Sequence, residues 1–320
     1  MRAVLSLLVG ALVALAGASA SGQPHRSYKA PRNAVGQPSF EGVWTTNSLT
    51  RLERPDIYPS VVMTEEKARQ LPPPPIKPAD AVGGGESETY DAEGLALARV
   101  GGEVRTAWIV DPPDGRLPFT PQGRARAHPA LSTDDPERRP MQERCLVMPS
   151  AGPPMTNGLY NNNLQILQTR ENVVIYMEMI HDVRVIPIGR SAHGPFHLWM
   201  GDSIGRWEGD TFVIETRGQT PAQVARVSPL VALSLSSEAV VTERLRRISP
   251  TQILYSYVVE DPANYTKPWR GEMPLNASQG PIYEYACHEG NYSLPNILGG
   301  ARAQERAAEA GAAPSRSSGG

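Results

Sequence analysis

Short hydrophobic runs separated by turn-forming residues fill the second half of the chain. From Leu164 onward these runs have the length, the β-branched or aromatic content and, in several cases, the apolar–polar alternation of strands. They are LQILQTR, NVVIYMEMI, DVRVIPI, GRWEG, DTFVIETRG, EAVVTERLRRI, TQILYSYVVED and PIYEYAC. Connections this short favour antiparallel neighbours, so the pattern predicts a meander that hides its edges in a barrel or a sandwich.

The clearest turn in this region lies within the motif GRWEGDTFVIET. Gly209-Asp210 is a two-residue loop that tolerates positive φ, and it predicts a hairpin that pairs residues 204–208 with 211–216. The two aromatic residues of the motif are expected to flank the turn as strand residues. Its three acidic residues are expected to be solvated or to form the turn.

The first half of the chain shows little strand periodicity after the segment FEGVWTTN, which predicts a first strand. The chain contains 31 prolines, about twice the average usage, and this favours long extended connections. Short helices are predicted to start at Thr64 and at Thr120-Pro121, since each threonine is a good N-cap. Residues 48–160 are therefore expected to wrap around the main body.

The predicted organisation is a single β-rich domain, residues 39–298, between two unstructured ends. Its parts are a flexible lead (21–38), a first strand with an irregular wrap (39–160), an antiparallel β core (161–298) and a disordered tail (299–320). The insertion GGGESETYDAEG within the wrap is also predicted to be flexible, because so polar and glycine-rich a segment buries little apolar surface.

The chain begins with the layout of a secretory signal peptide over residues 1–20. Arg2 supplies the positive charge, an apolar run extends from Val4 to Ala16, and Ala18-Ser19-Ala20 has the form of a cleavage site. The apolar run is shorter than the roughly 20 residues that a membrane-spanning helix needs. We therefore expect a bacterial periplasmic or secreted protein that begins near Ser21 and has no membrane anchor.

The formal net charge of −2 argues against a nucleic-acid partner, because such proteins carry a concentrated basic face. The sequence contains no G-x-S-x-G motif, no phosphate-binding P-loop and no G-x-G-x-x-G motif after a strand. No cofactor is therefore expected, and the predicted partner is a small organic molecule.

The chain contains two cysteines, Cys145 and Cys287. In an oxidising compartment two cysteines favour a structural disulfide over a redox or metal pair. The predicted bond requires their Cα atoms to lie within about 7 Å of each other. The alternative is a pair of buried free thiols.

Four stretches resemble a family of exported bacterial proteins to which no activity is attached. They are FEGVWTTNSLTRLERP, HLWMGDSIGRWEGDTFVIET, VVTERLRRISPTQILYSYVVEDPANYTKPWRGEMPL and YEYACHEGNYSL. Gly42-x-Trp44 on the first strand is also similar to the opening G-x-W of lipocalins, which implies a calycin-like barrel. The predicted fold class is therefore mainly β, an antiparallel meander closing into such a barrel, with few short helices.

Strand parity, in which successive side chains face opposite sides, singles out polar residues in apolar rows. In residues 173–180, Tyr176 and Glu178 fall on one face and are predicted to need hydrogen-bond partners. Glu243 shares a face with Val241 and Leu245. Its carboxylate is predicted either to pair with an arginine or to have a raised pKa suited to acid–base chemistry. The arginines considered as its partner are Arg206, Arg244 and Arg246.

Three histidines stand near these strands. His181 is predicted to begin a strand at a barrel mouth, and His193 and His197 lie in a loop that leads to Asp202. Two histidines and a carboxylate are possible zinc or iron ligands. However, Gly194-Pro195 prevents the helical presentation that makes such a motif specific, so no metal site is predicted.

The first functional hypothesis is a cofactor-free lyase, isomerase or hydratase whose barrel lumen transfers protons. Its predicted catalytic residues are His181, His193, Glu243 and Tyr176, and its predicted substrate contacts are Glu178, Arg206, Met177, Tyr255 and Tyr257. A second hypothesis is a binder of an apolar ligand in a cavity lined by Met177, Tyr255, Tyr257 and tryptophans. A third is a structural protein of the cell envelope.

Overall fold

The computed structural model describes residues 28–71, 96–129, 134–158, 160–228 and 230–312. Its strands are β1 (Gly42–Thr45), β2 (Val62–Met63), β3 (Arg99–Val100), β4 (Glu103–Arg105), β5 (Ile109–Asp111), β6 (Asn163–Gln168), β7 (Asn172–Met177), β8 (Val183–Pro187), β9 (Asp202–Glu208), β10 (Thr211–Arg217), β11 (Arg226–Ser228), β12 (Val231–Leu233), β13 (Val240–Ser249), β14 (Gln252–Glu260) and β15 (Trp269–Ala277). Its helices are α1 (Glu65–Arg69), α2 (Pro121–Ala127) and α3 (Ser293–Ala312).

The prediction of a mainly β fold is confirmed. Nine antiparallel strands form a nearly closed barrel in the order β8-β7-β6-β1-β15-β14-β13-β10-β9. The first strand completes it by pairing with β6 on one side and β15 on the other. Between β8 and β9, Ile188 pairs with Gly205. A Cβ atom at Gly205 would lie 2.3 Å from the ring of Phe212, so a glycine allows β9 to pass this ring.

The hairpin predicted at Gly209-Asp210 is confirmed by β9 and β10, in which Glu208 pairs with Thr211. Gly209 has a φ of +61°, a conformation that glycine adopts without steric cost. The rings of Trp207 and Phe212 contact each other across the hairpin, with centroids 4.9 Å apart. The motif is therefore a structural turn with a hydrophobic inner side.

Both helices predicted in the first half of the chain are present. Thr64 Oγ1 accepts a hydrogen bond from the backbone N–H of Lys67 at the start of α1, and Thr120 Oγ1 accepts one from Gly123 at the start of α2. The irregular wrap also contains a small sheet, β2-β4-β3, and β5 pairs with β15. These strands have two or three residues each, too few for alternation to appear in the sequence.

The disulfide between Cys145 and Cys287 is confirmed, and the two Cα atoms lie 5.8 Å apart. The bond joins the segment before β6 to the segment after β15, so the loop that it closes contains eight of the nine barrel strands.

The described part of the predicted lead, residues 28–38, contains a hydrogen-bonded turn and one long-range ion pair. Asn33 Oδ1 accepts hydrogen bonds from the backbone N–H groups of Val35 and Gln37, which closes a tight turn. Arg32 donates to Asp210 in the β9–β10 turn at 2.5 Å. A local side-chain-to-backbone turn and one long-range ion pair thus order a segment whose composition is polar.

The prediction of disorder from residue 299 onward is wrong as far as Ala312, because α3 occupies residues 293–312. Its second half is rich in alanine, arginine, glutamine and glutamate, which have high helix propensity. Arg302 also donates to Glu305 one turn away, at 2.8 Å. Helix propensity and a local ion pair therefore favour a helix in this segment, although it buries almost none of its side chains.

The strand predicted over residues 173–180 ends at Met177. Glu178 has helical backbone angles, a 3₁₀ turn spans Met179–His181, and β8 begins at Val183. His181 therefore does not begin a strand. Because the turn breaks the alternation, Tyr176 and Glu178 do not share a face: Tyr176 is half-buried on the outer side of β7, and Glu178 is buried.

The predicted signal peptide, the insertion GGGESETYDAEG and the last eight residues of the predicted tail lie outside the described residues. In the part of the chain that the structure describes, no helix combines the length and the apolar content needed to cross a membrane.

Candidate functional site

An irregular segment, residues 147–157 (VMPSAGPPMTN), is buried at every position and packs into the barrel core; we call it the plug. A buried segment without regular structure must satisfy its backbone polar groups inside the protein. The Met155 N–H donates to the Tyr255 hydroxyl at 2.8 Å, and Trp108 Nε1 donates to Asn157 Oδ1 at 2.7 Å. Side chains of the barrel and the wrap thus hold the plug in place.

Arg226 on β11 provides the charged contact to the plug. Its guanidinium is 2 % exposed and donates to the carbonyl oxygens of Pro153 (2.8 Å) and Pro154 (3.1 Å). Burial lowers the pKa of Arg226 to about 10, so the side chain remains charged at neutral pH. Two prolines supply carbonyl acceptors without adding N–H donors that would also need partners.

Glu243 lies at the centre of the barrel and is fully buried. Arg184 binds it through both guanidinium ends, at 2.9 and 2.5 Å, and the Tyr255 hydroxyl donates to it at 2.6 Å. Burial and the carboxylate together raise the pKa of Tyr255 well above its ordinary value, so the phenol stays protonated as a donor. Glu243, Arg184 and Tyr255 thus form a buried hydrogen-bond network with a structural role.

The prediction that Arg206, Arg244 or Arg246 pairs with Glu243 is wrong. Arg244 follows Glu243 on β13 and therefore points outward, where it donates to Glu208 at 2.7 Å. Arg206 is also outside and donates to Glu208 at 3.0 Å. The inward-facing Arg184 of β8 is the arginine that reaches Glu243.

A cleft of 490 Å³ lies beside the disulfide, and we call it the disulfide cleft. It is lined by Gln142, Glu143, Asn161, Glu284, Tyr285, Ala286, Cys287, Asn291 and Ser293. Its volume lies within the range of small-molecule sites. Three amides, two carboxylates and two hydroxyls line it, and none of these described lining residues is lysine or arginine. This lining suits an uncharged polar ligand.

Backbone strain is concentrated around this cleft. In the described ranges, the non-glycine residues with positive φ are Cys145 (52°), Asn161 (48°), Ile180 (57°) and His181 (56°). Each such conformation costs about 1–3 kcal/mol and persists only where the surroundings impose it, which happens most often at functional sites. All four belong to the disulfide, to the cleft wall or to the turn that contacts it.

His181 lies at the edge of the cleft and is exposed. Its Nε2 accepts a hydrogen bond from the backbone N–H of the cleft residue Tyr285 at 3.2 Å, which requires an unprotonated Nε2. The preceding Glu178 accepts from the side-chain amides of Asn161 (2.5 Å) and Asn163 (2.9 Å). Glu178 therefore connects the turn that contains His181 to the cleft residue Asn161, which lies just before β6.

Two tyrosines complete this side of the cleft. The hydroxyls of Tyr160 and Tyr285 lie 3.5 Å apart, and their rings are nearly parallel, with centroids 6.5 Å apart. Burial, with a further contribution from the Tyr285 hydroxyl, raises the pKa of Tyr160. The Tyr160 phenol is thus a neutral hydrogen-bonding group at physiological pH.

Asp182 links the His181 turn to the plug. Its carboxyl group is 9 % exposed, and its Oδ2 accepts a hydrogen bond from the Met148 N–H at 3.3 Å. Burial raises the pKa of Asp182 to about 6, although the Met148 hydrogen bond acts in the opposite direction. A carboxyl group with such a pKa changes its protonation state close to neutral pH.

His193 belongs to a different group of residues. Its Nδ1 lies 3.1 Å from Asp202 Oδ2 and its Nε2 lies 3.2 Å from Glu215 Oε1, so the ring bridges two carboxylates. Burial would raise the pKa of Asp202, but the Gly194 N–H, Arg190 and His193 outweigh it and keep the pKa below its ordinary value. The contacts of His193 with Asp202 and Glu215 hold the loop before β9 against the sheet.

The predicted catalytic residues therefore do not converge. His181, His193 and Glu243 lie in three separate hydrogen-bonded groups, and Tyr176 lies on the outer face of β7. Among the predicted substrate contacts, Glu178 alone is bonded to a residue of the disulfide cleft. Met177, Tyr255 and Tyr257 are core residues with at most 2 % exposure.

In the described part of the chain, no group of three or more His, Cys, Asp or Glu side chains has an arrangement suited to a metal ion. Comparison of the chain with protein-family models, with curated proteins and with solved structures finds no significant match. The function proposed below therefore depends on the geometry of the site.

Replacing Asp182 with asparagine is expected to stabilise the protein at pH 8 by up to about 3 kcal/mol. The folded pKa of about 6 exceeds the ordinary value of 3.8, so the unfolded chain loses this proton first as the pH rises. Ionisation of Asp182 therefore lowers the free energy of unfolding progressively between pH 3.8 and about pH 6, and by a constant amount at higher pH. Asparagine avoids this cost and retains an acceptor for Met148.

Urea denaturation of both proteins at pH 4 and pH 8 tests this expectation. The stabilisation should be present at pH 8 and nearly absent at pH 4, whereas the exposed control Glu171→Gln should change stability little at either pH. Equal effects of Asp182→Asn at the two pH values would contradict the raised pKa.

Proposed function

We propose that the protein is an exported acid–base enzyme acting on a small, uncharged polar molecule bound in the disulfide cleft. His181 is the residue that exchanges a proton with the substrate. The observation that carries this proposal is the strained Ile180-His181 turn, whose imidazole accepts a hydrogen bond from the backbone N–H of Tyr285, a lining residue of the 490 Å³ polar cleft.

Several features support a reaction rather than simple binding. An imidazole can donate or accept a proton near neutral pH, and lyase, isomerase and hydratase reactions need such a group. Glu178 and Asp182 fix the turn that carries His181 from both sides. Asp182 is a positioning residue, because its carboxyl group is directed to the plug and not to the cleft.

Export is supported by two further observations. The first residues have the layout of a signal peptide, and the two cysteines form a disulfide. The rival hypothesis of an apolar ligand in the barrel lumen has less support. Its proposed lining residues Met177, Tyr255 and Tyr257 are buried in the same core that the plug occupies.

Proton exchange provides a test that does not require the natural substrate. Dihydroxyacetone and related uncharged hydroxycarbonyl compounds are incubated with the protein in D₂O, and loss of the α-proton signal is followed by NMR. The wild-type protein is expected to exchange at least one of them faster than buffer. His181→Gln should lower that rate by about 10²- to 10⁴-fold, the usual contribution of a positioned acid–base residue.

The matched control is His128→Gln, since His128 is an exposed histidine at the end of α2. It should leave the rate unchanged. A folded His181→Gln variant that exchanges as fast as the wild-type protein would overturn the assignment.

A further inference from the structure

A second cleft, of 670 Å³, lies beside α2 and is separate from the disulfide cleft; we call it the arginine cleft. Its walls are α2 with the residues that follow it, the segment before β11 and the loop between β12 and β13. The polar side chains lining it are Arg126, Arg138, Gln223, Ser234, Ser236, Ser237 and Glu238. No residue of the arginine cleft also lines the disulfide cleft.

The wall formed by the β12–β13 loop is held rigidly by Asp261. This buried carboxylate accepts hydrogen bonds from the Ser236 hydroxyl (2.7 Å), the Ser236 N–H (2.8 Å) and the Asn264 amide (2.8 Å). The Tyr265 hydroxyl also donates to the Ser234 carbonyl at 2.8 Å. The cleft is therefore preformed, as small-molecule sites usually are.

The opposite wall of the arginine cleft, formed by α2, is also held by close contacts. A Cβ atom at Gly123 of α2 would lie 2.0 Å from the Asn264 carbonyl oxygen, so a glycine is required for α2 to pack this closely. Arg126 Nη1 donates to Asn264 Oδ1 at 3.1 Å, which orients the guanidinium beside the cleft. The other N–H groups of a guanidinium remain as directed donors when one of them is held in this way.

The lining combines positive charge with apolar surface. Its charged lining side chains are Arg126, Arg138 and Glu238. Arg138 also pairs with Asp135 at 3.7 Å, whereas Arg126 donates to the neutral side-chain amide of Asn264. The remaining lining residues are apolar: Ala125, Pro129, Pro221, Val224, Ala225, Leu235 and Ala263. An arginine recognises carboxylate or sulfonate oxygens through paired hydrogen bonds, and the apolar wall accommodates a hydrocarbon or aromatic body.

We propose that the arginine cleft binds an organic anion, a molecule with an apolar body and one carboxylate or sulfonate group, through Arg126 and Arg138. This site is distinct from the proposed acid–base site, because no residue lines both clefts and the proposed ligands differ: an anion here and an uncharged molecule in the disulfide cleft. The disulfide cleft is lined by carboxylates and amides, whereas the arginine cleft carries the positive groups.

Anilinonaphthalene sulfonate is a suitable probe, since it carries a sulfonate on an aromatic skeleton and fluoresces when its surroundings are apolar. Phenylnaphthylamine has the same skeleton without the sulfonate. The native protein is expected to bind one molecule of the sulfonate, and Arg126→Gln should weaken binding by about tenfold or more, the loss expected for a charge-assisted hydrogen bond. Phenylnaphthylamine should bind more weakly and with equal affinity to both proteins.

The matched control is Arg206→Gln, because Arg206 is an exposed arginine on β9, remote in sequence from the cleft and paired with Glu208. It should leave the affinity for the sulfonate unchanged, as should His181→Gln. Absence of sulfonate binding to the native protein would overturn the proposal. So would unchanged affinity in the Arg126→Gln and Arg138→Gln variants, or equal affinity for the two probes.

Discussion

Replacement of Arg184 by methionine is expected to lower the free energy of unfolding by about 3–5 kcal/mol. Arg184 and Glu243 are 4 % and 0 % exposed, and two hydrogen bonds join them. Without the guanidinium, Glu243 remains inside the barrel with the Tyr255 hydroxyl as its strongest remaining partner. A buried carboxylate without a counter-charge must either stay charged at high cost or take up a proton, and both reduce stability.

Urea denaturation at neutral pH measures the loss, and two further variants identify its cause. Arg244→Met removes an arginine from an exposed pair with Glu208, so its effect should not exceed about 1 kcal/mol. Adding Glu243→Gln to Arg184→Met removes the unpaired charge and should restore a large part of the lost stability. If the double variant is no more stable than Arg184→Met, lost packing rather than the buried charge explains the effect.

The barrel could be predicted because its information is local. Alternation along β13 places Val241, Glu243 and Leu245 on one face, and all three are fully buried as that pattern requires. The turn at Gly209-Asp210 is likewise specified by two adjacent residues. In both cases the backbone geometry of a strand or hairpin follows from neighbours in the sequence.

The partner of Glu243 could not be predicted in the same way. Arg184 lies in the run DVRVIPI, where its position is indistinguishable from that of a solvent-exposed arginine between apolar residues. It faces inward only because the 3₁₀ turn after Met177 resets the alternation before β8. The plug was missed for a related reason, since a buried irregular segment depends on distant donors such as Arg226 and Trp108.

The candidate site was predicted in part. The sequence singled out His181 and Glu178, but it placed Glu178 on one strand face with Tyr176 and His181 at the start of the next strand. The structure has a 3₁₀ turn over Met179–His181 instead. Tyr285 was missed because its role depends on the segment after β15, which the disulfide holds near the turn. Asn161 and Asp182 were missed because their partners, Glu178 and Met148, are brought to them by a turn and by the plug. The signal that was available is Cys287, because its predicted bond to Cys145 anchors the segment after β15 beside the segment before β6.

Removing the disulfide with Cys145→Ser and Cys287→Ser is expected to lower the free energy of unfolding by about 2–5 kcal/mol. The bond closes a loop of 142 positions, so its main effect is to limit the conformations of the unfolded chain. The strand pairings of the barrel do not depend on it. The variant should therefore unfold cooperatively at a lower urea concentration while its barrel remains intact.

Loss of the bond should also release the segment after β15. This segment is mostly exposed, and near Cys287 it contacts the rest of the protein through Tyr285 and Asn291. The Tyr285 N–H donates to His181 and its ring lies against Tyr160, and Asn291 donates to the Glu143 carbonyl and to Cys145 Sγ. Chymotrypsin under native conditions should cut the variant faster at Tyr283, Tyr285 or Tyr292, because local opening no longer meets a covalent restraint. Cleavage within the barrel should stay slow in both proteins. If the segment is cleaved equally fast in the wild-type protein and in the variant, non-covalent contacts alone hold it in place. The disulfide would then not maintain the wall of the cleft.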